Sequence, residues 1–354
     1  AGTGTTEKEC IGSVGGPCIG GPNLLGVAVG SPLLDLPSMG ADRERVEQAM
    51  LAAVKTSDDY LTEIASHLIS AGGKRLRPVM TIVASLVGDA EPQNASEDAV
   101  QGGIACELVH LGSLYHDDVM DESTTRRGVE TVNAKWGNLQ AILAGDFLLA
   151  RASEIAASLG TEVAGLLANT IGRLCEGQIE ELRFTYNTAR PVESYLLSIE
   201  GKTASLYGTA ARIGGLVAGH DRSVIDSLTE YGTAYGMVFQ IVDDILDITS
   251  TDEALGKPAG HDMVEGVYTL PVMYTMAAGS TGEELRGMLG RPLRRRTQRR
   301  ALEIVRSGDG VARAIEMAND YVSRAERACD AMPQNSATAA LRAATASLLS
   351  TISR

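Results

Sequence analysis

The sequence predicts an all-α fold, a single-domain bundle of roughly ten or more helices around a central deep cavity. Three observations carry that reading. Segments rich in Ala and Leu recur at helical period from residue 42 onward, with no alternation of strands and helices. Hydrophobic residues make up 44% of the chain and aromatics only 4%, so an ample core must be mostly aliphatic. Two acidic clusters of one form, DDVMD at 117–121 and DDILD at 243–247, each close a long apolar-periodic stretch.

The elements follow in order. Residues 42–54 and 57–70 read as helices, with Ser57 as N-cap of the second and Gly72 and Gly73 as its end. A third follows Pro78, a residue tolerated in a first helical turn. Residues 96–120, 138–159, 161–183, 192–218 and 222–248 continue the series. From 249 to 266 the pattern is lost in an acidic, Gly-bearing stretch that reads as a lid loop, and helices resume at 268–278 and run to the C-terminus. The bundle domain is assigned to residues 41–354 and a flexible Gly/Pro-rich N-terminal extension to 1–40. Residues 10–34 carry no charge, but ten of these 25 positions are Gly or Pro, which argues against a helix there, membrane-spanning or otherwise. No basic stretch or small-residue cleavage site marks a signal peptide.

Composition limits the function. A net charge of −14 speaks against nucleic acid as a partner, and admits a phosphorylated ligand only where metal mediates. The five cysteines, Cys10, Cys18, Cys106, Cys175 and Cys329, form no CxxC and no disulfide framework, so a cytoplasmic location is expected. Cys106 and Cys175 lie in apolar helical stretches and read as buried thiols.

Positions i and i+4 of a helix share a face, so Asp117 aligns with Asp121 and Asp243 with Asp247. Like charges at that spacing cost a helix a few tenths of a kcal/mol unless a cation neutralises them. All-oxygen ligands suit Mg²⁺, which completes its shell with substrate phosphates. GGKRLRP at 72–78 sets Lys74, Arg75 and Arg77 beside a glycine pair that lets backbone approach a ligand. Arg126 and Arg127 follow the first cluster. Glu107 and His110 have the ExxH spacing of di-iron bundles, which need a second such motif, and none occurs. His110 lies two turns before Asp117 and can line the same cavity.

Taken together, these motifs resemble the trans-polyprenyl diphosphate synthase family over residues 42–350. The resemblance rests on GGKRLRP at 72–78, HDDVMDE with RRG at 116–128, GD at 145–146, EGQ at 176–178, GKTA at 201–204, FQIVDDILD at 239–247, GKPAGHD at 256–262 and EGVYTLP at 265–271. It implies the isoprenoid synthase fold and an Mg²⁺-dependent, head-to-tail condensation of isopentenyl diphosphate with an allylic diphosphate. By the family's roles, Asp117, Asp121 and Asp243 would hold about three Mg²⁺ ions, with Asp118, Asp244 and Asp247 sharing or tuning them. Arg126, Lys202 and Lys257 would contact the allylic diphosphate, Gln240 would line that site, and Thr203 would sit near the developing cation. The Gly73 backbone, Lys74, Arg77, His110 and Arg127 would hold isopentenyl diphosphate. Many members have a lysine where this chain has Val267. A homodimer and a peripheral membrane contact for product release are also expected.

Chain length should depend on the helix face leading away from Asp117. Gly112 and Ser113 stand where short-product members place an aromatic floor, and Val109 and Cys106 lie beyond. The resemblance then predicts a product of about C35–C50 for a quinone side chain. The alternatives are a C20 geranylgeranyl diphosphate synthase, a non-catalytic synthase subunit and a di-iron oxidoreductase.

Overall fold

The structure, a computed structural model, describes residues 30–89, 94–251 and 258–352. Lys257 and residues 1–29 of the expected extension lie outside these. The chain is built of helices: α1 (Met39–Ala53), α2 (Asp59–Ser70), α3 (Leu76–Ser85), α4 (Glu97–Met120), α5 (Val132–Trp136), α6 (Asn138–Ser158), α7 (Thr161–Arg183) and α8 (Val192–Ile199). After them come α9 (Ser205–Val217), α10 (Arg222–Thr249), α11 (His261–Val264), α12 (Leu270–Met276), α13 (Gly279–Met288), α14 (Arg295–Ser307), α15 (Gly310–Asp330) and α16 (Ser336–Ser350). Helix α9 lies between α4 and α10, α3 packs on α4 and α9, and α15 packs on the far side of α10. The two helices that end in aspartate clusters are thereby held in one layer by a shared neighbour.

Local chemistry sets the helix ends. Ser96 caps α4 by accepting from the Ala99 amide, as its N-terminal Glu97 and Asp98 favour. Helix α2 is capped by Asp58 rather than Ser57: its Oδ1 accepts from the amides of Tyr60 and Leu61 at 2.9 and 3.3 Å. The loop expected at 249–266 contains a short helix, α11, within its described part.

The described end of the expected extension, residues 30–40, contributes side chains to the core. Pro32–Leu34 form a 3₁₀ turn, and Leu33, Leu36 and Met39 are buried in the core. Removing these apolar side chains from water anchors the segment, and Gly/Pro content alone gave no sign of it. Cys175 is also corrected: it is exposed on α7, whereas Cys106 and Cys329 are buried. No helix among the described residues is long and apolar enough to cross a membrane.

Candidate active site

Helix α4 delivers the first aspartate cluster at its C-terminal turn, where Asp121 is the C-cap and its amide bonds the Asp117 carbonyl at 2.9 Å. Helix α10 delivers the second within its last two turns. In both clusters the middle aspartate faces protein donors. Asp118, 1% exposed, receives Nε and Nη2 of Arg126 at 2.6 Å each. Asp244 receives the Tyr195 hydroxyl and, at 2.9 Å, the Gln240 amide. This narrows the six-aspartate expectation, because neighbouring residues on a helix point about 100° apart. Asp117 and Asp121, and likewise Asp243 and Asp247, share a helix face distinct from that of the middle aspartate.

Burial pushes the Asp117 carboxyl up to about 6, although Lys202 and Arg126 oppose the shift. Burial also raises Asp118 and, together with Asp262, raises Asp244 well above the ordinary carboxylate range. Asp247 accepts from the Asp262 amide at 3.4 Å and, through its carbonyl, from the Gly260 amide at 2.8 Å. The second cluster thus holds the turn that follows it.

A single five-residue π-helical turn, Glu200–Ala204, links the two clusters. Lys202 donates to Glu181 at 2.9 Å. Burial lowers the Lys202 ammonium, but Glu181, Asp117 and Asp121 outweigh it and the net shift is upward, so Lys202 stays charged facing the first cluster. The next residue, Thr203, donates to Gln240 at 2.9 Å, and Gln240 in turn donates to Asp244. The expected continuous helix over 192–218 is therefore interrupted where it carries function, as π-bulges often are.

The π turn sits where it does because two glycines let backbones touch. A Cβ on Gly177 of α7 would lie 2.6 Å from the Lys202 amide nitrogen and the Ser198 carbonyl, and one on Gly201 would lie 2.7 Å from the Arg173 carbonyl. EGQ and GKTA are thus two halves of one contact. Sequence reasoning missed Glu181, and the signal was there, since it lies one turn beyond Gly177 on the same face. Tyr195 was missed as well.

The basic group forms around the loop before α3. Gly73 has φ +148°, and a Cβ there would lie 2.9 Å from Nη1 of Arg127. Arg127 donates to the carbonyls of Leu68, at 3.2 Å, and Gly72. Arg126 and Arg127 are carried by a small antiparallel hairpin, Thr125–Arg126 with Val129–Glu130, which the all-helical reading did not anticipate. Arg77 stacks its guanidinium 4.8 Å from the Tyr207 ring centre. Arg75, by contrast, is committed to Glu47 at 2.7 Å and Glu107 at 3.3 Å. That pairing engages one oxygen of Glu107, and among the described residues no three His, Cys, Asp or Glu gather as the di-iron reading of its ExxH motif would need. Burial, reinforced by Arg77, Arg127, Arg126 and Arg75, holds His110 well below its ordinary pKa, so it is a neutral donor and acceptor. Desolvation lowers Lys74, which lines a small cavity with Leu76, Tyr235 and Phe239.

The expected tunnel positions divide. Val109 and Cys106 are fully buried. Gly112 lies at a helix crossing, where a Cβ would be 3.0 Å from the Gly145 carbonyl and 3.3 Å from Leu149 of α6. Ser113 is half-buried and donates to the His110 carbonyl at 2.8 Å. A floor residue at 112 would therefore collide with α6.

The donor set suits a hard divalent cation. Its oxygens come from carboxylates, and an ionised Asp117 is disfavoured by burial until a positive charge joins it. No point among the described residues gathers three His, Cys, Asp or Glu ligands, so each ion would draw most of its shell from phosphate and water.

A family model described as polyprenyl synthetase matches residues 58–345. The nonaprenyl diphosphate synthase of Mycobacterium tuberculosis is 40% identical over 291 residues, covering 82% of this chain and 86% of its own. A polyprenyl synthase from Caulobacter crescentus CB15, solved with calcium and isoprenyl diphosphate, superposes with a TM-score of 0.83 at 31% identity over 91% of this chain and 99% of its own. The geranylgeranyl pyrophosphate synthase of Corynebacterium glutamicum, solved with the same ligands, gives 0.79 at 36% identity over 88% and 96%.

Proposed function

Because the chain belongs to the polyprenyl synthetase family, we propose that it is an Mg²⁺-dependent prenyltransferase extending an allylic diphosphate with isopentenyl diphosphate to a long all-trans product. The observation that carries the proposal is the Lys202–Thr203 turn, which joins the two aspartate clusters through Asp117 on one side and Gln240 and Asp244 on the other. Asp117, Asp121 and Asp243 would hold about three Mg²⁺ ions, with Asp247 beside them. When bound, the ions would neutralise the leaving diphosphate as the allylic C–O bond breaks.

The chain's own residues do the rest. Lys202, Arg126 and Lys257 bind the allylic diphosphate, with Val267 contributing no charge where relatives have lysine. The Gly73 backbone, Lys74, Arg77, Arg127 and neutral His110 hold isopentenyl diphosphate, whose double bond supplies the electron pair for the new C–C bond. Its proton leaves to the released diphosphate. Thr203 and Gln240 turn oxygen dipoles toward the allylic centre, where positive charge develops. Intact acidic clusters and basic groups speak against a non-catalytic subunit.

The product is proposed to be about C35–C50, supported by the nonaprenyl relative and by the small residues before Asp117. The C20 reading is favoured by the Corynebacterium neighbour. Incubation with isopentenyl diphosphate, Mg²⁺ and farnesyl diphosphate, with mass spectrometry of the dephosphorylated products, separates them. A C35–C50 product, shortened in Ser113→Phe, upholds the long-chain reading; a C20 product replaces it, and no elongation with any primer rejects the enzyme assignment.

A further inference from the structure

Residues 291–300 read RPLRRRTQRR, six arginines and no acid in a chain of net charge −14. They lead into α14, whose inner face buries Ala301, Ile304 and Val305. Arg294, Arg295, Arg296 and Arg299 are exposed and, among the described residues, make no ion pair, whereas Arg300 reaches Glu284 at 2.9 Å and Glu303 at 3.7 Å. Two local rules are broken here. Cations crowd the first turn of a helix, whose dipole favours anions, and Arg295 and Arg299 repel at i,i+4. Such conflicts mark function more often than structure.

The helix is continuous with the site. Arg306 donates to the carbonyls of Ile248 at 2.6 Å and Ser250 at 2.8 Å, directly after the second aspartate cluster. Gln298 donates to the Ala259 carbonyl at 3.1 Å.

We propose that this arginine face docks the protein on an anionic lipid bilayer. The proposal rests on the reading above that the product carries a long apolar tail, which water will not hold and a bilayer will. The apolar side of α14 is spent in the core, so the attachment is electrostatic, reversible and salt-sensitive rather than insertional. Screening limits each charge to about 8–10 Å, so the acidic remainder of the surface does not cancel a local basic face held against lipid.

The test is co-sedimentation of the full chain with vesicles of equimolar phosphatidylglycerol and phosphatidylcholine, and with pure phosphatidylcholine. Each arginine at such a surface strengthens partitioning about fivefold. The wild type should bind the anionic vesicles alone and release in about 0.5 M salt. The quadruple variant R294E/R295E/R296E/R299E should lose about a hundredfold or more in partitioning, with unchanged circular dichroism, melting temperature and turnover of a short soluble primer. The fourfold Arg→Gln variant should fall between the two. Equal binding to both vesicle types, no binding by the wild type, or full binding by the folded variants overturns the proposal, as does binding to duplex DNA without binding to vesicles. A wild type that elongates normally but binds no vesicles would reject the docking face and leave the enzyme reading intact, whereas wild-type vesicle binding without elongation would do the reverse.

Discussion

Adjacent aspartates in each cluster have separate duties, and the helix alone assigns them. Asp118 and Asp244 turn toward Arg126 and Tyr195, while Asp117 and Asp243, each about 100° round the helix from them, are the residues proposed to hold the cations. Asp117→Ala should cut turnover by about a thousandfold or more while leaving the melting temperature unchanged or raised, since it removes a carboxylate that burial disfavours. Asp118→Ala should instead cost about 3–5 kcal/mol of stability by stranding a buried guanidinium; denaturant unfolding of the two variants side by side checks both. His110 gives a pH signature. Its folded pKa lies well below the unfolded value of 6.5, so the unfolded chain binds the extra proton and stability falls as pH drops below 6.5. Asp117, raised to about 6, works in the opposite sense: its contribution is present at low pH and lost as pH rises through about 6. In an Asp117→Asn background without metal, urea unfolding should therefore weaken on acidification by at most about 1.4 kcal/mol per pH unit, and His110→Gln should flatten that slope. An unchanged slope would place His110 in water.

Among the elements, the π turn positions Lys202 and Thr203 between the two aspartate-bearing helices. Gly177 and Gly201 bring α7 against Glu200–Ala204 at backbone distance, and that contact sets where Lys202 and Thr203 project. Gly201→Ala should cost about 1–3 kcal/mol through overpacking and lower kcat more than it raises the substrate KM, because the turn carrying the cation must shift. Thermal melts with steady-state kinetics read both; full activity in a destabilised Gly201→Ala would separate the turn from catalysis. A run of small and apolar residues could not reveal the turn, because the one-residue shift of the apolar face that a π-bulge introduces is hidden where most faces are apolar. Its glycines were legible as motifs, but their purpose was not, since close approach is a property of two helices at once.

The whole molecule leaves an apolar stripe uncovered. Leu139 and Leu143 of α6 are 74% and 66% exposed, and Ile179 of α7 is 56% exposed. The exposed neighbours Gly165 and Gly172 have open space around them. Leu139 and Leu143 lie one turn apart on the same face of α6, and we propose that a second copy of the chain covers them in the expected homodimer. Sedimentation equilibrium should give twice the chain mass of 37.2 kDa, and Leu139→Asp with Leu143→Asp should return the protein to the monomer mass; a monomeric wild type would reject the pairing.

By itself the sequence determined the helical class, the position of most long helices up to residue 249, both aspartate clusters, the GGKRLRP loop and the arginine pair. All of these are local: periodicity, capping and charge spacing act within a few turns. The tertiary structure alone decided which charges are spent within the fold. It paired Arg75 with Glu47 and Glu107, Asp118 with Arg126 and Lys202 with Glu181. It also set Gly112 against α6 and buried Leu33 and Leu36 in the core. Each of these joins residues from separate elements, through distances that a one-dimensional pattern does not carry.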